Sequence, residues 1–496
     1  MDIVKPLLVA RGAARIAVCF LSIALLLPVT QGFRPPNQSV PLGKPNILLI
    51  DIDDLGWRDL GYMGSQYYET PHVDSLATEG MVLTEAYAAA ANCAPSRASL
   101  FSGQWPSRTG IYTVGSSERG RSVNRKLIPV ENTLYLKPDQ LTFPQLLQKN
   151  GYHTCHVGKW HISKNPTDYG FDVNIGGAEY GHPPGGYFSP WHNRTLKDGP
   201  KGEYLTDHLT DLALDYLKTV GDKPFFMNFA LYAVHTPLQG KPALVAKYKQ
   251  KKGSYGQDNP EYAAMIETMD TNVGRIIDYL KGSGKFDNTL IIFTSDNGGV
   301  YGITHQWPLR AGKGSYYEGG IRIPMVAVWP GHIKPGSSSS QPVINTDIYP
   351  TFLGVAGIKK PAGKVLDGHS FLSVLEGGTR PVEPMFWDFP VYLETLKKYA
   401  PNRQSADQCF RTRPGSSVRL GSWVLQEYYE DGHLELYNID TDLGERKNLA
   451  KLYPDKAKQL HELLIHWRQK LHAPVPRQLN PDYQPGGCPV NTELGW

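Results

Sequence analysis

Two polar pairs follow apolar runs of this sequence and could hold a metal ion. Asp53-Asp54 follows the run NILLIDI, and Asp296-Asn297 lies just beyond the run TLIIFT. Their carboxylate and amide oxygens are the ligands that Ca²⁺ and Mg²⁺ prefer. Either pair alone could instead cap a helix or form a turn. Because two such pairs end two separate runs, we predict a metal site that uses both.

A cysteine begins the most distinctive short motif of the chain. In the segment CAPSR, Cys93 precedes a Pro-Ser-Arg turn, so an activated thiolate could pair with Arg97. A buried and inert cysteine is the alternative interpretation of the same residue.

Cations and histidines occur near other predicted strand ends. Lys159 and His161 lie in the segment GKWH, His235 precedes Thr-Pro, and Lys313 lies between two glycines. Taken singly, such a histidine is commonly structural and such a lysine is commonly solvated. Taken with a metal, these residues supply cations for an oxyanion and histidines for proton transfer.

The elements that must position these residues alternate between strands and helices. Strands are predicted at Asn46–Ile52, Lys223–Leu231, Thr289–Thr294 and Pro324–Trp329, and helices at Val73–Gly80, Leu141–Lys149 and Tyr262–Lys281. This alternation predicts an α/β fold with a mainly parallel sheet flanked by helices. In such sheets the ligand site lies beyond the carboxyl ends of the strands.

The pattern changes near Gly377–Pro381, where a smaller C-terminal α+β domain is predicted to begin. Antiparallel strands are expected at Val418–Tyr429 and His433–Asn438, followed by a helix near Tyr453–Leu471. The predicted domains are therefore a catalytic domain at 33–379 and a C-terminal subdomain at 380–496. The length of 496 residues allows two or three domains.

Residues 1–32 have the pattern of a signal peptide. Lys5, Arg11 and Arg15 precede the apolar run Ile16–Val29, which is 14 residues long and so short for a membrane span. An uncleaved anchor is the alternative. We expect export, to the periplasm or the medium if the chain is bacterial, without stable membrane insertion. The sequons at Asn37 and Asn193 would matter in a eukaryotic secretory pathway.

Charge and cysteine counts narrow the function classes further. The net charge of +4 comes without a basic run comparable to a nucleic-acid-binding tail, which argues against a DNA or RNA partner. Beyond residue 32 the chain holds Cys93, Cys155, Cys409 and Cys488. Four cysteines allow three complete pairings, of which we favour Cys409 with Cys488 because both lie in the C-terminal part.

The segment CAPSR followed by ASLFSG resembles the C-x-P-S-R signature of the type I, formylglycine-dependent sulfatases, which are arylsulfatase-like enzymes. Further blocks match that family in order, from about Lys44 to about Leu471: NILLIDIDDLG, GKWH, HTP, SDNGG, PLRAGKGSYYEGGIRIP, TDIYPTFLGVAG, LDGHSFLSVLEGG and LELYNIDTDLGERKNLA. Ser102 and Ala311 depart from residues that are frequent in the family, and Ala311 lies near Lys313.

The resemblance implies an alkaline-phosphatase-like α/β domain with a C-terminal four-stranded antiparallel sheet. It also implies that Cys93 is oxidised to Cα-formylglycine (3-oxoalanine) by a separate maturation enzyme, which reads Pro95 and Arg97. The hydrated aldehyde supplies the nucleophile in that family.

The resemblance further assigns roles to the residues of the site. The metal ligands are Asp53, Asp54, Asp296, Asn297 and the modified Cys93, with Ca²⁺ favoured over Mg²⁺. The remaining assignments are Arg97 and Lys159 for the aldehyde hydrate, Lys159 and Lys313 for the sulfate oxygens, His161 for sulfate ejection, and His235 for protonation of the leaving alcohol.

The implied activity is hydrolysis of a sulfate ester, with a sulfated sugar or an aryl sulfate as substrate. The aromatic loops Tyr180–Trp191 and Val300–Pro308 could stack on a sugar or could be structural. Two alternatives remain open at this point. One is a phosphodiesterase or phosphonate monoester hydrolase of the same superfamily, and the other is an inactive calcium-dependent glycan-binding relative.

Overall fold

The computed structural model describes residues 43–395 and 407–488. The predicted signal peptide and Asn37 lie outside the described residues. Across the part that is described, no helix is both long enough and apolar enough to cross a bilayer.

An eight-stranded sheet forms the larger layer of the fold. Its strands are β1 (Asn46–Ile52), β2 (Met81–Leu83), β4 (His153–Gly158), β5 (Val173–Ile175), β6 (Phe225–Ala230), β7 (Thr289–Ser295), β9 (Met325–Val328) and β10 (Ser337–Ser339). The order across the sheet is β10-β2-β9-β7-β1-β6-β4-β5. Only β9 runs antiparallel to its neighbours, which confirms the predicted mainly parallel sheet.

The central strand β1 is buried along its whole length. Ile47 and Leu49 face one hydrophobic core, while Leu48, Ile50 and Ile52 face the other. This explains why the strand is a continuous apolar run and not an alternating one. Since Asp51 pairs in register with Thr294 and Ile52 with Ser295, the residues that follow β1 and β7 emerge side by side.

Helices cover both faces of the sheet. The helices of the described residues, of which α11 packs on the C-terminal sheet, are α1 (Pro71–Glu79), α2 (Cys93–Ser102), α3 (Pro106–Thr109), α4 (Phe143–Lys149), α5 (Leu205–Thr219), α6 (Pro242–Lys249), α7 (Pro260–Gly282), α8 (Glu318–Ile321), α9 (Ile348–Val355), α10 (Leu372–Leu375) and α11 (Pro454–Leu471). On one face α7 packs Ile266, Met269 and Val273 into the core. On the other face α4 and α9 pack Phe143 and Phe352. The predicted helices are confirmed with end shifts of a few residues.

A four-stranded antiparallel sheet lies in the C-terminal part, with the order β12-β15-β16-β17. The strands of this sheet are β12 (Met385–Phe389), β15 (Gly415–Leu420), β16 (Trp423–Tyr428) and β17 (Leu434–Asn438). Two smaller sheets are formed by β3 (Ala86–Tyr87), β8 (Arg322–Ile323) and β11 (Val343–Ile344), and by β13 (Leu393–Glu394) and β14 (Phe410–Thr412). Helix α11 packs Leu460, Leu464 and Trp467 into the core that this sheet shares. The domain boundary at 379/380 stays a prediction.

One predicted strand is wrong. The segment Val418–Tyr429 is not a single strand, because β15 and β16 form a tight hairpin in which Leu420 pairs with Trp423. The turn between them is formed by Gly421 and Ser422, a residue pair typical of two-residue hairpin turns, and it shifts the apolar alternation by one residue.

The predicted pairing of Cys409 with Cys488 is confirmed, whereas Cys93 and Cys155 are free and buried. The sequon at Asn193 is not an accessible acceptor in the folded chain. Its side chain is buried and its Nδ2 donates to the Gly176 carbonyl oxygen at 2.8 Å.

Gly158 ends β4 directly before Lys159 and offers a first test of the fold. Its φ is +90°, and a Cβ there would lie 2.0 Å from the Ala230 carbonyl oxygen of the neighbouring strand. We therefore expect Gly158→Ala to lower the free energy of unfolding by at least about 2 kcal/mol, measured by urea denaturation.

Gly282→Ala is the matched control, since nothing lies within 4 Å of a Cβ at that helical position. It should leave stability within about 1 kcal/mol of the parent, or raise it. Equal urea midpoints for Gly158→Ala and the parent would contradict the argument.

Candidate active site

The predicted site residues come together at the carboxyl edge of the parallel strands. Asp53 and Asp54 follow β1, Lys159 and His161 follow β4, His235 follows β6, and Asp296 and Asn297 follow β7. Cys93 is the first residue of α2, and Lys313 lies in the loop before α8. The site therefore joins segments that are more than 200 residues apart in the chain.

The Cys93 thiol lies at the centre of this group and is 1% exposed. Its Sγ is 3.0 Å from Lys313 Nζ, 3.5 Å from Asp53 Oδ1 and 3.8 Å from Asp54 Oδ1. The predicted pairing of the thiol with Arg97 is wrong, because Lys313 is the cation that contacts it. Arg97 instead contacts Asp51 at 3.0 Å and Asp296 at 2.8 Å. Every residue of α2 is buried, so the whole motif is enclosed.

Four buried carboxylates face three buried cations in the site. Besides the two contacts of Arg97, Lys159 Nζ lies 2.6 Å from Asp53 Oδ2, and Lys313 Nζ lies 2.8 Å from Asp54 Oδ2. The fourth carboxylate is that of Asp51, which lies inside the run NILLIDI, where the pattern indicates only a strand residue. With all four carboxylates ionised, the three cations would leave one negative charge over.

Burial and the cations act on these carboxylates in opposite directions. Burial raises the pKa of Asp51 to about 7 although Arg97 opposes it, and burial raises the pKa of Asp53 well above its ordinary value. Burial also opposes ionisation of Asp54 and Asp296, but Lys313 and Arg97 respectively hold their pKa values below the ordinary one.

The donor set fits a hard divalent cation. Asn297 Oδ1 is buried and has no hydrogen-bond partner among the described residues, so it is available as a ligand. Asn297 Nδ2 donates to Asp54 Oδ1 at 2.8 Å, and the Asp54 amide donates to Asp296 Oδ1 at 3.1 Å, so the two predicted pairs are in contact. Potential ligand atoms of Asp53, Asp54, Cys93 and His235 lie within 4.8 Å of one another. A cation here would offset the excess carboxylate charge.

The two predicted histidines line the site from different strands. His161 has φ +71°, and its Nδ1 is buried without a partner among the described residues. Burial, with Lys159 and Arg97 nearby, holds the pKa of His161 well below its ordinary value. His235 pairs Nδ1 with the Thr236 carbonyl oxygen at 2.7 Å, and its Nε2 lies 3.6 Å from Asp54 Oδ2. Burial and Lys313 lower the pKa of His235.

A cavity of about 220 Å³ opens onto Cys93. Its lining also includes side chains that the sequence analysis did not assign a role: Asn92, Val114, Arg119, Gly181, His182, Thr236, Val300, Leu393 and Arg411. The loop Tyr180–Trp191 contributes Gly181 and His182, and the loop Val300–Pro308 contributes Val300. Tyr187 and Trp191 are buried in the core, so their role is structural. No motif marks Arg119 or Arg411, which the fold brings in from distant segments.

Strained backbone accompanies the site. Asp54, His161 and Ala311 all have positive φ, near +61°, +71° and +61°. Ala311 thus occupies a left-handed position, one that favours glycine, two residues before Lys313. Such strain persists where the surrounding packing imposes it, as at many functional sites.

Comparison with known proteins gives consistent matches over nearly the whole chain. Residues 45–358 match the family model described as Sulfatase, and residues 311–472 match the model described as N-sulphoglucosamine sulphohydrolase, C-terminal. The chain is 34% identical to a sulfatase of Formosa agariphila, covering 93% of this chain and 94% of that protein. It is 30% identical to the N-acetylgalactosamine-6-sulfatase of Rattus norvegicus, covering 94% of each.

A solved structure, Ps i-CgsB in complex with k-i-k-neocarrahexaose, superposes with a TM-score of 0.70 at 29% sequence identity. The superposition covers 90% of this chain and 95% of that one.

Proposed function

The chain belongs to the sulfatase family and is a sulfuric ester hydrolase, and on that premise we propose that it removes sulfate from a sulfated carbohydrate. Support for a sugar substrate comes from the N-acetylgalactosamine-6-sulfatase relative and from the oligosaccharide bound to the solved structure above. The single observation that carries the proposal is that Cys93, Lys313 and His235 line the same cavity.

We propose further that Cys93 is converted to formylglycine by a maturation enzyme and that Asp53, Asp54, Asp296 and Asn297 hold Ca²⁺. When modified in this way, the residue at position 93 would supply a hydrated aldehyde, one hydroxyl of which attacks sulfur while the other later allows release of sulfate. A plain thiolate would lack the second hydroxyl and would leave the sulfuryl group without an easy route of release.

The other side chains bind and position the substrate. Lys159 and Lys313 neutralise sulfate oxygens, because charge spreads over those oxygens as the sulfuryl group transfers. Arg97 forms ion pairs with Asp51 and Asp296, and these hold the N-terminal half of α2 against the ends of β1 and β7. His161 handles the proton at sulfate release, where its depressed pKa keeps it a base. Burial of Lys159, and the low exposure of Lys313, strengthen the interactions of these two cations with the sulfate.

His235 is placed to protonate the leaving oxygen through Nε2, since Nδ1 is engaged with the Thr236 carbonyl. We expect His235→Ala to lower kcat on a sugar sulfate by about 10²- to 10⁴-fold. The loss on 4-nitrophenyl sulfate should be much smaller, because nitrophenolate leaves without protonation. Rates on the two substrates, measured with the same preparation, check the difference.

His208→Ala is the control, since His208 lies on α5 outside the cavity lining and pairs with Glu203. It should leave the ratio of the two rates unchanged. Equal losses on both substrates in His235→Ala would show that His235 does not act on the leaving group.

A panel of sulfated monosaccharides that differ in sulfate position tests the function directly. We expect inorganic sulfate from one or a few positions, with little from the others. The monoester 4-nitrophenyl phenylphosphonate and the diester bis(4-nitrophenyl) phosphate, in the same assay, test the phosphohydrolase alternative. Faster turnover of either phosphorus compound than of every sulfate would overturn the proposal.

We also propose export of the chain after loss of residues 1–32. The Cys409–Cys488 disulfide supports this, since structural disulfides persist in oxidising compartments.

A further inference from the structure

Arg411 reaches the active-site cavity from the C-terminal part of the chain and has no role in the scheme above. It lies on β14, and its guanidinium lines the same cavity as Cys93 and Lys313. Nη1 donates to the Lys313 carbonyl oxygen at 2.9 Å, and Nε donates to the Glu394 carbonyl oxygen at 3.0 Å. Both acceptors are backbone atoms, so neither neutralises the charge.

The arginines next to Arg411 are paired with carboxylates. Arg119 contacts Glu394 at 2.8 Å, and Arg413 contacts Asp407 and Glu430. Within residues 43–395 and 407–488, no carboxylate lies within ion-pair distance of Arg411. Arg411 therefore has the carboxylates of Glu394 and Asp54 nearby but none in contact, and a bound anion would give its partly enclosed charge a direct partner.

The loop that carries Lys313 is shaped to accept this guanidinium. Gly314 has φ +85°, and a Cβ at that position would lie 2.7 Å from Arg411 Nη1. Glycine therefore lets Arg411 lie flat against the loop, directly beside the catalytic lysine. Burial and the neighbouring Arg119 also lower the pKa of Arg411 to about 10, a penalty that a bound anion would remove.

We propose that Arg411 binds a second anionic group on the substrate, a sulfate or a carboxylate, next to the sulfate that is cleaved. This rests on the proposed function and names its substrate class: a sugar that carries at least two anionic groups. A planar guanidinium matches the oxygens of either group in a bidentate arrangement. The cavity of about 220 Å³ is at the small end for a ligand site, so both anions must lie on one sugar unit or on adjacent ones.

The test compares three substrates built on the monosulfated sugar that the positional panel identifies. They are that sugar, the same sugar with a second sulfate, and the same sugar with a carboxylate in place of the second sulfate. Steady-state kcat/KM is measured for the parent enzyme, Arg411→Gln, Arg411→Lys and the control Arg275→Gln. Arg275 lies on α7 and contacts Asn272 and Asp211, away from the cavity lining.

We expect the kcat/KM of the parent enzyme for at least one of the doubly charged sugars to exceed that for the monosulfated sugar by at least about tenfold. One hydrogen bond to a charged group contributes about that factor. Arg411→Gln should reduce that preference to near one, mainly through KM, while Arg411→Lys should keep part of it. Arg275→Gln should keep the full preference. The doubly charged sugar that the parent enzyme prefers identifies the group bound by Arg411 as a sulfate or a carboxylate.

Two results would overturn the assignment of Arg411. One is an absence of preference in the parent enzyme. The other is an equal loss on all three substrates in Arg411→Gln, which would mean that Arg411 acts on the cleaved sulfate or on folding. If no sugar releases sulfate, the proposed function fails and the assignment fails with it. Release without preference removes the Arg411 assignment alone.

Discussion

Replacing Cys93 by alanine is expected to reduce sulfate release at least about 10⁴-fold, the order of loss that follows removal of a catalytic nucleophile. The reason is geometric. Cys93 lines the cavity with its Sγ 3.0 Å from Lys313 Nζ, so a nucleophile at position 93 has a cation beside it to neutralise the sulfate oxygens. The loss should appear in kcat on aryl and sugar sulfates alike.

Cys155→Ala is the matched control for that substitution. Cys155 is also free and buried, but it lies in β4 and packs in the core away from the cavity. It should cost some stability and leave turnover at 25 °C nearly unchanged. Comparable turnover by Cys93→Ala and the parent would refute a nucleophilic role for position 93.

Mass spectrometry separates the modified residue from the thiol. Trypsin should release Asp59–Arg97, which contains Cys93 at its C-terminal end. We expect active enzyme to yield this peptide with an aldehyde or its hydrate at position 93. Full activity with an unmodified thiol would contradict the formylglycine proposal while leaving the family assignment in place.

Removal of the metal is expected to have the next largest effect. Chelation should abolish measurable turnover and lower the thermal midpoint, because Asp53, Asp54 and Asp296 then repel one another in a buried site. A ligand at 100 times its Kd stabilises a fold by about 2.7 kcal/mol, which sets the scale of the shift. Calcium should restore both properties, and magnesium should restore them less well.

Asn297→Ala tests the ligand set with a readout other than turnover. It removes the unpartnered Oδ1 and should raise the calcium concentration needed to restore the thermal midpoint. Asn228→Ala is the control, because Asn228 is buried in β6, contacts His156 through Nδ2 and lies outside the site. It should lower the midpoint at every calcium concentration by the same amount. Identical calcium dependence in the two variants would remove Asn297 from the ligand set.

The layered fold could be predicted because its signals are local. The run NILLIDI is apolar at every position except Asp51, and such a run is typical of a strand buried on both faces. The parallel arrangement then required the residues after β1 and β7 to emerge together, so the contact between Asp54 and Asn297 follows from the topology. The hairpin between β15 and β16 also has a local signal, because Gly421-Ser422 interrupts the apolar alternation, so the prediction of one strand there gave this turn too little weight.

The site could be predicted in part, and its missing members share a physical cause. Arg119 and Arg411 enter the cavity through tertiary packing of segments that carry no motif, so no local pattern marks them. Likewise the contact of Cys93 with Lys313, and not with Arg97, joins residues 220 positions apart. Spacing within one helix could suggest the nearer cation, but the fold decided which one reaches the thiol.

The enclosure of α2 has a consequence for the order of events in the life of the chain. All ten residues from Cys93 to Ser102 are buried, including Pro95 and Arg97. A second enzyme that must read Cys93, Pro95 and Arg97 has no access to them once the sheet and helices have assembled. If Cys93 is oxidised as proposed, the oxidation has to precede folding, and a molecule that folds first stays inactive for as long as it stays folded.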